Sequence, residues 1–299
     1  MVKHASSAGV IRETRRDQVF LAVLLVISAF ILVIELYPLI FVVSASFSDS
    51  DAISLGRVYL LPVNPSLDGY WMLLKEKDIL TGFKNSVIYL AVGTTVNMLL
   101  TMLLAFPLSR REMPGRNIIT FFVALTMYVS GGLIPTYLMV SNLGMVDTLW
   151  GIIVPNAIST TNMIIMRTYF QNSIPESLYE AAMLDGSNYT KYLLRVVLPL
   201  SMPIVAVIGL YYGVGHWNNY FDALIYLRST EKQSLQLVLR NILLANQVNS
   251  GDGSYSEASK LGVTIKYSVI VFSCIPMMIA YPFVQRFFIK GVMIGAIKG

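Results

Sequence analysis

The stretch RTYFQNSIPESLYEAAMLDGSNYTKYLLRVVLPLSMP, from Arg167 to Pro203, is a polar, helix-forming island between two long apolar segments. Ser173 and Glu176 have the spacing of a capping box, in which each residue satisfies a free N–H group of the other. Pro175 between them is tolerated in a first helical turn. The stretch therefore predicts a short helix that begins near Ile174.

Asp185 and Gly186 predict the end of this first helix, because a glycine just past the last helical residue readily adopts the left-handed conformation. Ser187 and Asn188 are suited to cap a second helix, and Pro199 is predicted to end that helix from outside. The predicted unit is a helix, a glycine corner and a second helix.

Neither of these helices is suited to cross a bilayer. A membrane span needs about 20 mostly apolar residues, whereas both helices are short and charged. The charged residues are Glu176, Glu180, Asp185, Lys191 and Arg195. We therefore predict that residues 167–199 form a cytoplasmic elbow.

The first helix of the elbow carries a surface suited to close contact. Ile174, Leu178 and the alanines recur at helical spacing. Glu180 stands beside Ala181 and Ala182, whose small side chains allow another backbone to approach. Either the helix inserts into a cleft of a partner, or the elbow is a capped loop that packs on its own chain.

The elbow also resembles the EAA signature of ABC importer permeases, with Val196 where isoleucine is usual. The matching positions are Glu180, Ala181, Ala182, Gly186, Val196, Leu198 and Pro199. Further stretches resemble the MalG-like carbohydrate-uptake group and, within it, the LplC-type permeases associated with complex oligosaccharides. They are SGGLIPTYL, IIMRTYF, WNNYFDALIYL and KGVMIGAIKG. The resemblance covers nearly the whole chain.

This resemblance implies that the elbow contains the coupling helix, which docks in a groove of an ATPase subunit and pairs its glutamate with a basic residue there. The implied coupling residues are Glu180, Ala181, Ala182, Asp185, Gly186 and Pro199. It also implies that about Leu237 to Glu257 contacts the substrate-binding protein. The tail from Lys290 to Gly299 would contact the ATPase subunits.

The composition indicates a polytopic membrane protein. Of the 299 residues, 55% are hydrophobic and 13% are charged, and the mean hydropathy is +0.64, which is too apolar for a soluble domain. The single cysteine, Cys274, lies in an apolar run, so neither a disulfide framework nor a cysteine-based metal site is expected.

The apolar segments predict an all-α fold with six transmembrane helices in one domain of residues 1–299. The predicted spans are about 19–43, 86–108, 118–140, 149–166, 200–220 and 267–288. The first run is too long for a signal peptide and contains Glu35 and Pro38, which favours an uncleaved span over cleavage near Ser44. In the third span, Gly131-Gly132 and Pro135 are predicted to weaken or kink the helix.

The loops follow from these spans. A short amphipathic helix is predicted around Tyr70 to Leu74, and a polar outer loop from Arg228 to Lys266. Cytoplasmic segments then hold 13 Lys and Arg against 6 Asp and Glu, whereas outer segments hold 9 against 10. Because basic residues are enriched in cytoplasmic loops, both termini are predicted in the cytoplasm of a cell-membrane protein. The net charge of +5 is thus an orientation signal, and nucleic acid is not an expected partner.

Motifs for chemistry are largely missing from the sequence. There is no phosphate-binding G-x-x-x-x-G-K-[ST] stretch, and His4 and His216 are too far apart to suggest a local metal site. Only Glu35 clearly lies within a span, where it faces a polar cavity, pairs across a helix interface or reaches the outer headgroups. The chain is therefore not expected to be an enzyme or to bind a cofactor, and ATP and Mg²⁺ would belong to partner ATPase subunits.

Polar and aromatic residues in or beside the spans are candidates to line a solute pathway. Sugars stack on aromatic rings and bond to amides and carboxylates, so Trp217 to Tyr220 has suitable chemistry. The alternative is that these residues belong to an aromatic belt or link helices. The candidates are Tyr128, Ser130, Asn156, Thr160, Asn162, Trp217, Asn218, Asn219, Tyr220 and Asp222.

The resulting hypothesis is a permease subunit of an ATP-driven oligosaccharide importer. It would act with a second, non-identical six-span subunit, two ATPase subunits and an extracytoplasmic binding protein. The alternatives are an ABC permease for another solute, an ion-coupled carrier or a membrane scaffold.

Overall fold

The computed structural model describes residues 14–250 and 257–296, and within these ranges all regular secondary structure is helical. The prediction of an all-α fold is confirmed. Residues 1–13, 251–256 and 297–299 lie outside the described residues. They include His4 and parts of the segments predicted to contact the binding protein and the ATPase subunits.

The first half of the chain forms seven helices. They are α1 (Arg15–Ser46), α2 (Ser50–Ser54), α3 (Asp68–Lys75), α4 (Lys77–Ser109), α5 (Arg116–Leu125), α6 (Leu133–Asn142) and α7 (Leu149–Ile153). Helix α3 confirms the short helix predicted around Tyr70.

The second half contains the elbow and the remaining apolar helices. They are α8 (Thr160–Ser173), α9 (Glu176–Leu184), α10 (Tyr189–Tyr192), a π-helical turn (Leu193–Val197), α11 (Leu198–Leu200), α12 (Met202–Trp217), α13 (Phe221–Tyr226), a 3₁₀ turn (Thr230–Lys232), α14 (Leu235–Ser250) and α15 (Glu257–Ala296).

Three helices in the described ranges are long and apolar enough to cross a membrane: α1, α4 and the portion Ile265–Phe283 of α15. A fourth crossing is added if Tyr189–Leu200 and Met202–Trp217, which meet at a bend of 85°, are one span.

The predicted third and fourth spans are not continuous helices. Between α5 and α6 the chain is non-helical, and Gly132 has a φ of +85°, so the interruption expected at Gly131-Gly132 is present. The fourth span was predicted without a break, which was wrong. The turn between α7 and α8 contains Pro155, which lacks the N–H that a continuous helix requires.

The segment from Arg228 to Lys266, predicted as a polar outer loop, contains α14 and the beginning of α15. Leu235, Val238 and Leu239 recur at helical spacing and are buried, together with Trp217 and Val269. The apolar face of α14 therefore packs into the protein, and only its other face is polar.

Within the described residues, helix α1 is buried only near its C-terminal end. Ser44, Ala45 and Ser46 are buried, whereas residues 15–40 are exposed on every side. The Ser46 carbonyl accepts a hydrogen bond from Ser268 Oγ at 3.3 Å. Glu35 thus lies on the part of α1 that the chain itself does not cover.

Helix α4 is the central helix, with its most extensive contacts to α12, α8 and α14. One core cluster joins the C-terminal half of α4 to α8, the elbow and α12. Its fully buried members include Ala105, Leu108, Met163, Met166, Phe170, Tyr192, Val197 and Ile208. The elbow is thereby anchored to the membrane helices.

Gly93 on α4 allows α12 to approach closely. A Cβ atom at this position would lie 2.5 Å from both Cε1 and Nε2 of His216. Only glycine therefore leaves room for the imidazole ring against the backbone of α4.

We expect Gly93→Ala to lower the free energy of unfolding by about 1–3 kcal/mol, because the added methyl group overpacks a buried contact. The measurement is thermal unfolding of the purified protein in detergent. The matched control is Gly209→Ala on α12, where a Cβ meets nothing within 4 Å. In a His216→Ala background, Gly93→Ala should lower the free energy of unfolding much less, because the imidazole ring is no longer there to be overpacked. An equal decrease in both backgrounds would contradict the contact between Gly93 and His216.

Candidate functional site

The first helix of the elbow begins later than predicted. Helix α9 starts at Glu176 with Pro175 at its N-cap and no side-chain cap, while Ser173 is the last residue of α8. The capping-box prediction was therefore wrong. Ile174, between the two helices, has an extended backbone conformation, and its side chain is buried in the core cluster.

The end of α9 agrees with the prediction. Gly186 has a φ of +70°. The Gly186 N–H donates to Met183 O at 3.0 Å, and the Ser187 N–H donates to Ala182 O at 2.9 Å, which is a Schellman cap. Asn188 then caps the second helix by accepting a bond from the Lys191 N–H at 2.8 Å.

The predicted end of the second helix at Pro199 was wrong, since the helix continues to Leu200 and breaks at Ser201. In a regular α-helix the Pro199 ring would clash with the carbonyl of residue 195. The wider π-helical turn at Leu193–Val197 lies directly before this proline. The helical conformation therefore continues past Pro199.

Helix α9 has two unlike faces. Tyr179, Ala182 and Met183 pack against the core cluster. Glu180 is exposed, and its carboxylate forms no ion pair within the described part of the chain. Leu184 is 90% exposed. One face of α9 thus packs on its own chain, while the other presents a carboxylate beside an apolar tip, and insertion of the helix into a partner's cleft stays a prediction.

A polar recess of about 410 Å³ lies among α4, α8, α12 and the turns before α8 and α13. It brings together four of the predicted pathway residues: Asn156, Asn162, Asn219 and Asp222. The other lining residues are Asn97, Ile152, Ser159, Tyr211, Tyr212, Gly215 and His216.

Hydrogen bonds fix the Asp222 carboxylate at the edge of the recess. Its Oδ2 accepts from Asn219 Nδ2 at 2.7 Å and from Asn156 Nδ2 at 3.0 Å. The Asp222 N–H in turn donates to Asn219 Oδ1 at 3.0 Å. One side chain therefore links the turn before α8 to the beginning of α13.

The wall of the recess contains residues that were missed from the sequence. Asn97 Nδ2 lies 3.1 Å from His216 Nε2 and 3.5 Å from the carbonyl of Asn156. The Tyr212 hydroxyl bonds to Thr101 Oγ1 at 2.7 Å and accepts from the Ser159 N–H at 2.9 Å. An asparagine in the middle of an apolar span was the available signal for Asn97.

Two buried polar atoms in this wall have no hydrogen-bond partner: Asn97 Oδ1 and His216 Nδ1. Because Asn97 Nδ2 lies within hydrogen-bonding distance of the Asn156 carbonyl, the amide nitrogen faces His216, and Nε2 is the acceptor. Asn97 Oδ1 and His216 Nδ1 are both buried behind the surface of the recess.

The remaining predicted pathway residues do not line the recess. Trp217 is 1% exposed, and its Nε1–H donates to the carbonyl of Ser273 on α15 at 2.9 Å. Asn218 and Tyr220 are exposed beside the recess, and Tyr128 and Ser130 lie exposed in the interruption between α5 and α6. The Thr160 hydroxyl, at the start of α8, bonds to the Thr126 hydroxyl just after α5 at 3.0 Å.

Comparison with known proteins identifies the family, although no family model matches the chain. The polygalacturonan/rhamnogalacturonan transport system permease protein YtcP of Bacillus subtilis is 40% identical over 264 residues, which are 88% of this chain and 92% of YtcP. The chain belongs to the MalG-like carbohydrate ABC transporter permeases. Protein LplC of Bacillus subtilis is 36% identical over 89% of this permease and 90% of LplC.

A solved structure also resembles this permease. One chain in the crystal structure of a bacterial ABC transporter involved in the import of the acidic polysaccharide alginate has a TM-score of 0.84 and 34% identity. The similarity covers 92% of this permease and 99% of that chain. As a permease subunit, the protein is a non-catalytic membrane component, and its family rules against the ion-coupled carrier considered above.

Proposed function

We propose that this permease forms one half of the membrane pathway of an ATP-driven importer for oligosaccharides delivered by an extracytoplasmic binding protein. The observation that carries the proposal is the polar recess built on α4, α8 and α12, together with the relatives' substrates. Those relatives include the arabinooligosaccharide permease AraQ and the galactooligosaccharide permease GanQ, at 27% and 28% identity.

The proposed assembly contains a second six-span permease and two ATPase subunits, which bind ATP and Mg²⁺. The exposed face of α9 supports an ATPase contact, since Glu180 and Leu184 offer a carboxylate and an apolar side chain that this chain does not cover. A binding-protein partner is proposed on the basis of the family. A chain of an alginate ABC transporter crystallised with an alginate-bound periplasmic protein shares the fold, with a TM-score of 0.63 and 16% identity.

The proposed topology has six spans with both termini in the cytoplasm. Besides the apolar helices α1, α4, α12 and α15, it requires α5 with α6 and α7 with α8 to act as broken spans. Non-helical backbone is tolerated at membrane depth only where protein or water satisfies its polar groups. The recess beside the α7–α8 break is such a place.

The recess is proposed to contact sugar hydroxyls on their way through the membrane. Asp222 Oδ2 is occupied by two amides, whereas its other oxygen has no partner among the lining residues. This oxygen is an acceptor of the kind that binds hydroxyl groups, and the amides of Asn162 and Asn219 line the same recess. ATP-driven movement of the elbow would expose the recess alternately to the two sides.

The topology is tested with single cysteines in a Cys274→Ser background. Cysteines placed at Asn142 and Ser250 should react with an impermeant thiol reagent added from outside. A cysteine placed at Ser187 should react only after permeabilisation. Labelling of Ser187→Cys from outside would overturn the six-span arrangement.

The recess is tested by comparing two neighbouring amides. Asn219→Ala should lower oligosaccharide uptake about tenfold, because it removes a hydrogen bond to a charged group. Asn218→Ala is the matched control, since Asn218 is exposed and does not line the recess. Uptake is measured in proteoliposomes with the complete transporter. Equal effects of the two substitutions would favour the aromatic-belt interpretation of this stretch.

Coupling is tested at Glu180 and Gly186. Loss of one partner of a well-buried ion pair costs about 3–5 kcal/mol, whereas an exposed pair is worth only about 0–1 kcal/mol. Glu180→Ala should therefore release the ATPase subunits during purification. Gly186→Val should misdirect the second helix and separate ATP hydrolysis from transport, because a β-branched residue disfavours positive φ.

The matched control for coupling is Glu176→Ala, an exposed glutamate in the first turn of the same helix. It should retain both the ATPase subunits and solute-stimulated hydrolysis. Wild-type co-purification and hydrolysis in Glu180→Ala and Gly186→Val would mean that the elbow is only a loop.

A further inference from the structure

Arg110, which directly follows α4, is a buried cation. It is 5% exposed, and no carboxylate lies within ion-pair distance of it in the described ranges. Burial of a charge is costly unless other groups replace its hydration. The groups that surround Arg110 therefore need an explanation.

Those groups come from three parts of the chain. Arg110 Nε donates to Ser109 Oγ at 3.2 Å, and Nη2 donates to the carbonyl of Phe170 on α8 at 3.4 Å. The guanidinium carbon lies 5.6 Å from the ring centre of Phe106 and 5.8 Å from that of Tyr192 on α10. Cation–π contacts of this kind are strongest where water is excluded.

A chain of rings continues from Tyr192 to the coupling helix. The Tyr192 ring meets that of Tyr179 edge-on, with 5.4 Å between the ring centres. The Tyr179 hydroxyl donates to the Tyr189 hydroxyl at 3.0 Å, a bond that raises the pKa of Tyr179 to about 12. Tyr179 directly precedes Glu180, so the chain of rings ends beside the residue proposed to contact the ATPase.

The other side of this joint is not packed. A cavity of about 460 Å³ adjoins Arg110 and is lined by residues of α4, of the loop that follows it, of α10 and of the π-helical turn. Its walls include Leu103, Phe106, Tyr189 and Leu193. The second helix of the elbow thus contacts α4 through the stacked guanidinium and through the Phe106 ring, whose centre lies 6.2 Å from that of Tyr192, and it borders open space on its other side.

We infer that Arg110 and Tyr192 are positioning residues that hold the coupling elbow to spans two and four, so that movement of α9 is transmitted to the pathway. This inference rests on the proposed function, because it assigns the joint through which the elbow acts. An arginine is suited to this position because its planar guanidinium stacks on the rings while its N–H groups donate hydrogen bonds in the plane. A lysine ammonium does not reproduce this geometry.

The test uses pairs of matched variants in the complete transporter reconstituted in proteoliposomes. Arg110→Gln, Arg110→Lys and Tyr192→Leu should lower the sugar transported per ATP hydrolysed by about tenfold, as expected for loss of a desolvated cation–π contact. Tyr192→Phe keeps the ring, and Arg111→Gln removes an exposed neighbouring charge. For both variants, the sugar transported per ATP hydrolysed should stay within about twofold of the wild-type value.

A second measurement does not depend on the transported solute. Hydrogen exchange of the purified permease without nucleotide should be about tenfold faster for residues 179–192 in Arg110→Gln and Tyr192→Leu, with residues 202–217 unchanged. If the wild type moves no oligosaccharide but this pattern appears, the proposed function fails and the positioning role stands. Unchanged exchange, or equal losses of transport and hydrolysis, would overturn the positioning role.

Discussion

A polar side chain that enters a bilayer must find its partner within the protein, and this constraint shapes the contact between α4 and α12. Asn97 faces His216, and Thr101 faces Tyr212, so two polar pairs bridge the helices at successive levels. The imidazole fits only because Gly93 has no side chain. The recess lies against this contact, and its wall would be lost if the helices separated.

The elbow meets a different requirement. It must pack against its own chain and still leave one face accessible to a partner subunit. The two faces of α9 separate these tasks, with Tyr179 and Met183 directed to the core and Glu180 left exposed. The Schellman cap at Gly186 sets the corner, and the π-helical turn carries the chain past Pro199. Local backbone chemistry thus places the exposed face at a fixed position relative to the membrane helices.

Features that depend on local chemistry could be predicted from the sequence, whereas those that depend on packing could not. The glycine corner at Gly186 and the cap at Asn188 were predicted from single residues and are present. The capping box failed because burial of Ile174 overrides a local preference. Trp217 and Asn219 have equally suitable chemistry for sugars, but only the fold separates the buried ring from the recess amide. Asn97 and His216 are 119 positions apart, so their pairing could not be predicted.

The isolation of α1 has a consequence for how much change its sequence tolerates. Residues 15–40 fill no hole in the chain's own core, so one apolar side chain there can replace another without leaving a cavity or a clash inside this subunit. Helix α4, whose most extensive contacts are with α12, α8 and α14, has no such freedom. Among relatives, we therefore expect residue identity to change rapidly along α1 while its average hydrophobicity changes slowly. Along α4, we expect side-chain volume to change slowly as well.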